Sequence, residues 1–527
     1  MTGHWEANLR LLDRRGDPES RLLLEALGGG PGPDLGLRDR TGNVLPGFVH
    51  QGRPRSLVST FDAGKEAERW AEGVEGGTVA VYGAGGRNAF TALAAQGVRG
   101  AFWVEPRIEV WRSLVTWQDG AEWLDREEWV PVLSPPEAWE ATLKDRYHPL
   151  WDGAFRTLEW RGATLGQEGL WDGYRAATTR ALDALASDAS TQARFGERWY
   201  RNTLVNLRRL SPGKAPSCPG ARVVVAGAGP TLDDALDHPA NRKWLAERPL
   251  TGDKLFSTDT ALPALTSRGV VPDLVLCLDG QLPTYHHFVP RRPGGVPLVA
   301  DLSSLPLLDR LGMPVVRYLS GHPFGAVVRR YFPELPTLDG SLGNVSGLAL
   351  KTALALGARV VDAWGVDFGY RDGQAYAHGT YVYPLAARRA TRLEPMETRL
   401  GASCYGARGL ERTPDARGHA WDTTPLLRDY RSRWEAPTPR PGPVKLAHEG
   451  AGSRWNEFAT HWRLRLNSLP LPGRGISVHR FILNLPPDRR QDWFALWPLA
   501  LSLQRTGIEQ ELLPEATRDR ALEFLQD

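Results

Sequence analysis

The sequence predicts an α/β fold built on a central, doubly wound and mostly parallel sheet. Two observations carry this expectation. Six short β-branched runs alternate with helical segments between residues 222 and 368, the pattern of a parallel sheet covered by helices on both faces. Glycine, asparagine or aspartate then follows most of these runs. Ligands of such sheets lie beyond the carboxyl ends of the strands, so the residues just past each run are the first candidates for function.

In chain order, residues 1–55 show little periodicity and contain the loop GGGPGPDLG (28–36). LVSTF (57–61) reads as a short strand, and residues 63–73 as a polar helix with Trp70 and Ala71 on its buried side. TVAVYGAGGRNAFTALAAQGVRGAFWVEP (78–106) reads as strand, glycine turn, helix and strand, ending at Glu105. On paper this is a nucleotide or S-adenosylmethionine fingerprint. G-A-G-G-R departs from G-x-G-x-x-G, so the preferred reading is that Gly83, Gly85 and Gly86 only allow a tight turn. Residues 136–212 read as helices and end in FGERWYRNTLVNLRRL. The loop SPGKAPSCPG (211–220) follows and marks the clearest boundary.

Beyond it come the six runs RVVVA, KLFST, DLVLC, VPLVAD, PVVRYL and RVVDAW. A Pro-rich stretch, APTPRPGP (436–443), then leads to a helical tail in which Trp455, Trp462, Trp493 and Trp497 read as core. Four parts follow from this pass: an N-terminal α/β domain (1–135), a helical linker (136–215), a nucleotide-binding catalytic domain (216–435) and a helical C-terminal region (436–527).

Composition narrows the function. At roughly 150 residues per domain, 527 residues suggest three or four units. Lys plus Arg is 64 and Asp plus Glu is 61, a net charge of +3, too small to argue for nucleic acid or an anionic membrane as partner. Hydrophobic residues at 42% and charged residues at 24% exclude wholesale disorder. Cys218, Cys277 and Cys404 have no metal-ligand spacing, and their odd number gives no disulfide framework. The most apolar stretch, 345–366, is interrupted by Lys351 and Arg359, so no membrane span is expected. The first 20 residues lack an apolar signal-peptide core. A cytoplasmic protein is the expectation.

Five strand ends hold the candidate residues. They are Gly227, Gly229, Pro230 and Thr231; Asp259 and Thr260; Asp279 and Gly280; Asn344, Val345 and Ser346; and Asp367. Each alone has a structural alternative, since Asp259, Thr260 or Asn344 can be a helix N-cap. Together they form a nucleotide-binding set that packing alone does not require.

GAGPTLDDAL (227–236), STDTALPALTSRGVVPDLVLCLDG (257–280) and GNVSGLALKTALALGARVVDAWGVDFGY (343–370) resemble the motility-associated factor proteins, the glycosyltransferase-like family that modifies flagellin. The core domain of that family is shared with archaeal 6-hydroxymethylpterin diphosphokinases. The resemblance extends over roughly residues 56–435. ALALGARVVDAWGVDFGYRDGQAYAH (353–378) is also similar to a stretch of bacterial sialyltransferases that use CMP-sialic acid. There two tyrosines bond the departing phosphate, and the matching positions are Tyr370, reached across the inserted Gly369, and Tyr376. RGHAWDTTPLLRDY (417–430) resembles the segment with the catalytic histidine, which falls on His419. The asparagine of the first glycine loop of those enzymes is Ala228 here.

The resemblance implies transfer of a nonulosonic (sialic-acid-like) sugar from a CMP-sugar to a hydroxyl of an acceptor protein such as flagellin. Such a reaction needs a cradle for the phosphate, expected at Gly227–Thr231. It needs donors for the leaving phosphate, expected to be Tyr370 and Tyr376. It also needs a base, His419 or its rival His378 in AYAHGTY. No tightly bound metal is expected. One alternative is a diphosphokinase moving pyrophosphate from ATP to a hydroxymethylpterin, with Mg²⁺ on Asp259, Asp279 and Asp367. The other is a non-catalytic nucleotide-binding scaffold.

Overall fold

Strands that alternate between two apolar faces organise the chain into two parallel sheets. In the computed structural model, residues 4–126, 128–289, 293–406, 409–414, 420–473 and 478–526 are described. The chain forms two compact units, one of Met1–Gln192 with Leu471–Arg490, the other of Ala193–Pro470 with Gln491–Asp527.

The first unit carries a four-stranded sheet of β1 (Thr78–Tyr82), β2 (Gly100–Val104), β3 (Trp129–Val132) and β4 (Phe155–Glu159), all parallel and ordered β3-β2-β1-β4. Every residue of TVAVY is buried. Val79 and Val81 enter one core with Leu93, Trp103 and Trp129. Ala80 and Tyr82 enter the opposite core with Trp139 and Trp171. A strand apolar on both faces belongs at the centre of a covered sheet.

The reading of 136–212 as wholly helical is corrected by β4. Its sequence FRTLE is half-exposed at the sheet edge, where one flank needs no apolar cover and the usual buried run is absent. Residues 5–27, read as aperiodic, form the helices Trp5–Arg15 and Pro18–Leu27. Asp17 caps the second, accepting from the Ser20 amide at 3.0 Å. Glu105 is fully buried and takes both Arg107 Nε and Nη2 at 2.7 Å. Burial pushes its carboxyl up against that pairing. The Trp160 ring and the Gln118 side chain crowd the Gly85–Gly86 turn. This corner therefore has a structural use for each of its signature residues.

The second unit holds a six-stranded sheet of β5 (Arg222–Ala226), β6 (Lys254–Thr258), β7 (Leu274–Cys277), β8 (Leu298–Asp301), β9 (Val315–Tyr318) and β10 (Val360–Trp364). All pairs are parallel, in the order β9-β8-β7-β6-β5-β10. These are the six runs expected from the sequence, and the fold is the expected α/β class. Chain order reverses between β5 and β10, which makes their carboxyl ends the topological switch point. Val223 and Val225 face one core while Val224 and Ala226 face the other.

Helical elements brace this sheet. A long helix, Glu168–Arg208, supplies Asn202 and Asn206 near its end. Asn202 Nδ2 donates to the carbonyls of Gly280 (3.3 Å) and Ser303 (3.1 Å). Asn206 Nδ2 donates to those of Leu302 and Ser304, each at 2.8 Å. In the tail, the helices Arg454–Asn467, Pro487–Arg505 and Leu513–Glu523 bury Phe458, Trp462, Trp493, Leu496 and Leu513 among others. Trp462 and Trp493 are fully buried, and Trp462 Nε1 donates to Tyr200 Oη at 2.8 Å. The helix Pro487–Arg505 crosses the long helix at Gly196, where an added Cβ would sit 1.8 Å from the Pro498 carbonyl oxygen.

Candidate active site

The switch point is closed by backbone. Gly227 N donates to Trp364 O and Gly229 N to Gly365 O, each at 2.8 Å. Thr231 N then donates to Asp367 Oδ2 at 2.9 Å, and its hydroxyl donates to Asp367 Oδ1. A Cβ on Gly229 would lie 2.3 Å from Asp367 Oδ2. The helix that starts at Thr231 has seven residues, and the Asp367 carboxylate already sits on its first amide. Burial raises the carboxyl of Asp367, with the Thr231 bonds opposing the shift. The amides expected to meet a phosphate are therefore occupied by the neighbouring loop of the same chain.

The chain next brings its two candidate tyrosines to this corner. Ala377 N donates to Ala228 O at 2.8 Å, tying the 376–380 segment to the glycine turn. Tyr376 packs beside Ala228 and Trp244. Burial, then Tyr381, Tyr370 and Asp259, push the Tyr376 hydroxyl up to about 12. Tyr370 is raised as well, by burial first and Cys404 second. Both are neutral donors at pH 7. Tyr370 lies on a two-residue strand paired with Ala420–Thr423, Tyr370 opposite Asp422. His419 lies outside the described residues, immediately before that strand.

Asp259 follows β6 and is buried, with its Oδ1 accepting from the Thr260 amide at 2.8 Å. Its Oδ2 lies 3.2 Å from His287 Nδ1, without the alignment of a hydrogen bond. Burial alone would raise this carboxyl; His287 and the Cys277 thiol outweigh it and lower it. The His287 ring also packs on Tyr381 at a centroid distance of 4.5 Å. Burial raises the Tyr381 hydroxyl, and so do the charges of Asp259 and Asp279. Asp279 itself is exposed and accepts from the Gln281 amide at 2.9 Å. Asp259, Asp279, Tyr370, Tyr376, Tyr381 and His287 therefore form one cluster past the ends of β6, β7 and β10.

Sequence reasoning missed His287 and Tyr381. His287 sits in a 3₁₀ turn, Leu282–His287. The signal available was LPTYHH directly after the Asp279-Gly280 strand end, two imidazoles where the reading stopped at the glycine. Four buried polar atoms around this edge have no hydrogen-bond partner among the described residues: His287 Nδ1, Thr284 Oγ1, Asp301 Oδ2 and Tyr318 Oη. Orphaned buried groups cost roughly 1–3 kcal/mol each, and they concentrate at sites that take up water or ligand.

The remaining candidates have local duties. Asn344 caps the helix Val345–Ala355, its side chain accepting from Gly347 N at 2.8 Å, and Val345 packs on the core. Ser346 follows in the first turn of that helix. One helix, Pro425–Glu435, joins this loop to the switch point. Tyr430 packs on Gly343, and Arg431 donates to the Asp367 carbonyl. His378, largely exposed, bonds Asp233 Oδ2 through Nδ1 at 2.7 Å and stacks on Tyr383. Among the described residues no three His, Cys, Asp or Glu side chains are grouped to hold a metal ion.

These features define a parallel α/β protein with a polar cluster at its switch-point edge. Residues 198–373 match the family described as 6-hydroxymethylpterin diphosphokinase MptE-like. Over nearly the whole length, the fold is that of the MAf glycosyltransferase from Magnetospirillum magneticum AMB-1. The TM-score is 0.59 and the identity 15%, covering 99% of this chain and 94% of that one. Two proteins of Treponema pallidum (strain Nichols), described as uncharacterized, are each 29% identical, over 159 and 116 residues. The matched segments are 29% and 21% of this chain, and 56% and 52% of those proteins. The chain thus spans about half the length of these relatives. No described helix is long and apolar enough to cross a membrane.

Proposed function

We propose that this chain is a glycosyltransferase that moves a nonulosonic sugar from its CMP conjugate to a protein hydroxyl, with flagellin as the acceptor. The observation that carries the reading is the pairing of two neutral tyrosines, Tyr370 and Tyr376, beside the switch point, with Asp259 and His287 next to them. The fold likeness to a MAf glycosyltransferase supports it.

In this reading the acceptor oxygen attacks the anomeric carbon, the bond from that carbon to the phosphate oxygen breaks, and CMP leaves. Tyr370 and Tyr376 donate to the phosphate as its charge grows. The acceptor proton passes to a histidine. His287, which lies 3.2 Å from the Asp259 carboxylate and packs on Tyr381, is the base favoured among the described residues; His419 is the candidate from family resemblance. The nucleotide lies along the carboxyl edge between residues 227–231 and 343–346, with Asp279 and Gly280 beside it and no metal required; its phosphate meets the tyrosine hydroxyls, since Asp367 and the 364–365 carbonyls already hold the Gly227, Gly229 and Thr231 amides.

The test combines ligand stabilisation with turnover. CMP at about 100 times its dissociation constant should raise stability by roughly 2.7 kcal/mol without metal. A CMP-sugar and flagellin should yield free CMP and an acceptor heavier by one sugar. The match of residues 198–373 to the diphosphokinase-like family favours a second reading. Stabilisation by ATP only with Mg²⁺, and AMP release in the presence of a hydroxymethylpterin, would replace the first reading by the second.

A further inference from the structure

A cavity of about 600 Å³ within the second unit is lined by Arg194, Arg198, Arg201, Arg505 and Arg520. The first three stand four and three positions apart on the long helix, so they share one face of it. Arg505 ends the helix Pro487–Arg505, and Arg520 lies in the helix Leu513–Glu523. The Gly196 crossing explains how guanidinium groups from separate segments converge, because it lets the Pro498 backbone reach the long helix. Ser502 fixes the crossing, accepting from Glu197 N at 3.1 Å and donating to Ala193 O at 2.9 Å.

The charges are unequal. Glu197 is the only carboxylate on the wall, and Arg520 takes it at 2.6 Å while also pairing with Glu523. Arg194, Arg198, Arg201 and Arg505 make no ion pair or hydrogen bond among the described residues. Elsewhere many arginines of this chain are paired with acids, as Arg175, Arg317 and Arg465 are. Arg194 and Arg198 instead flank one ring, Phe195, at 5.1 and 5.7 Å from its centroid. That contact holds guanidinium planes without consuming their donors. These four exposed cations around one concavity have no acid partner among the described residues.

We propose that this cavity binds a small molecule carrying several phosphate charges. The volume falls in the range of small-molecule sites, roughly 300–1,000 Å³. Arginine forks bind phosphate oxygens in pairs, and the convergence of several forks favours a di- or triphosphate over a single phosphate.

The test uses the full chain and inorganic tripolyphosphate, with titration calorimetry at low and at physiological salt. One bound tripolyphosphate is expected, with inorganic phosphate much weaker. Arg198→Gln and Arg201→Gln should each weaken tripolyphosphate about tenfold, the effect of losing one charge-assisted contact. Arg388→Gln with Arg389→Gln, which removes two arginines from the end of another helix, should leave it unchanged. Equal losses in both sets would reduce the effect to net charge and overturn the proposal. So would single-stranded DNA binding more tightly than tripolyphosphate at physiological salt, which would make the patch a polyanion surface. Thermal unfolding checks each variant; the cavity variants should match the parent, because these exposed arginines have no acid partner to lose.

Discussion

His322 is a half-buried imidazole, lowered by burial to about 4, and its Nε2 is buried with no partner among the described residues. The unfolded chain takes up this proton near pH 6.5 and the native chain only near pH 4. Between those values the unfolded state binds more protons, so stability falls as pH falls, by up to about 1.4 kcal/mol per pH unit. His322→Gln should flatten that slope in urea titrations at pH 4.5, 5.5 and 6.5. Asp259 acts in a lower window. Its lowered carboxyl stabilises the native state above pH 4, and that contribution is lost as pH drops further. Tyr376 is the residue whose removal tests the proposed chemistry most directly. Tyr376→Phe keeps the ring and deletes the donor, so kcat should fall about 10²–10³-fold while CMP affinity holds. His287→Gln should reduce kcat by a similar factor.

Elements were more legible than the contacts between them. Five strands of the second sheet are readable because they are buried almost throughout and so appear as continuous apolar runs, whereas β10, an edge strand half open to solvent, shows itself by Val360-Val361 and the glycine that follows Trp364. β4 is not readable, because an edge strand with one exposed flank has no such run. Strand ends gave the location of the candidate cluster, and the glycine and Tyr positions fall there. The role of Asp367 was out of reach: its carboxylate caps a residue 136 positions away, and no local pattern encodes that distance. His287 was missed for a similar reason, since its partner Asp259 comes from another strand end. Two substitutions test these elements. Asn344→Ala removes the N-cap of Val345–Ala355 and should cost about 1 kcal/mol, with Asn344→Asp nearly neutral. Gly229→Ala forces a Cβ against Asp367 and should cost roughly 1–3 kcal/mol. Chemical denaturation of each variant, followed by circular dichroism, measures both.

At the scale of the molecule, each unit has a parallel sheet whose strand order reverses beside its first strand, and among the described residues the second carries the Asp259–His287–Tyr376 cluster near that reversal. The first unit fills its equivalent corner with Trp160, Gln118 and the Glu105–Arg107 pair. S-Adenosylmethionine should therefore not bind the first unit with micromolar affinity, which calorimetry on the full chain can check. Gly196 offers a test at this scale too. Gly196→Ala would push the Pro498 segment off the long helix. It should lower the melting temperature and weaken tripolyphosphate together, while a CMP response at the sheet edge survives in the folded fraction.

The placement of β10 beside β5 also has a consequence for synthesis. Arg222 of β5 meets Asp362 of β10 across 140 residues of chain. At about 5–20 residues per second, a ribosome takes roughly 7–30 s to make that interval. For that time the nascent β5 has no neighbour on one side, and its unpaired amides and carbonyls are open to any other extended chain. A nascent chain arrested before Val360 should be cut readily by protease within residues 222–226, whereas one arrested well beyond Trp364 should resist. Cells making this protein quickly therefore have reason to hold the growing chain on a chaperone until its sixth strand arrives.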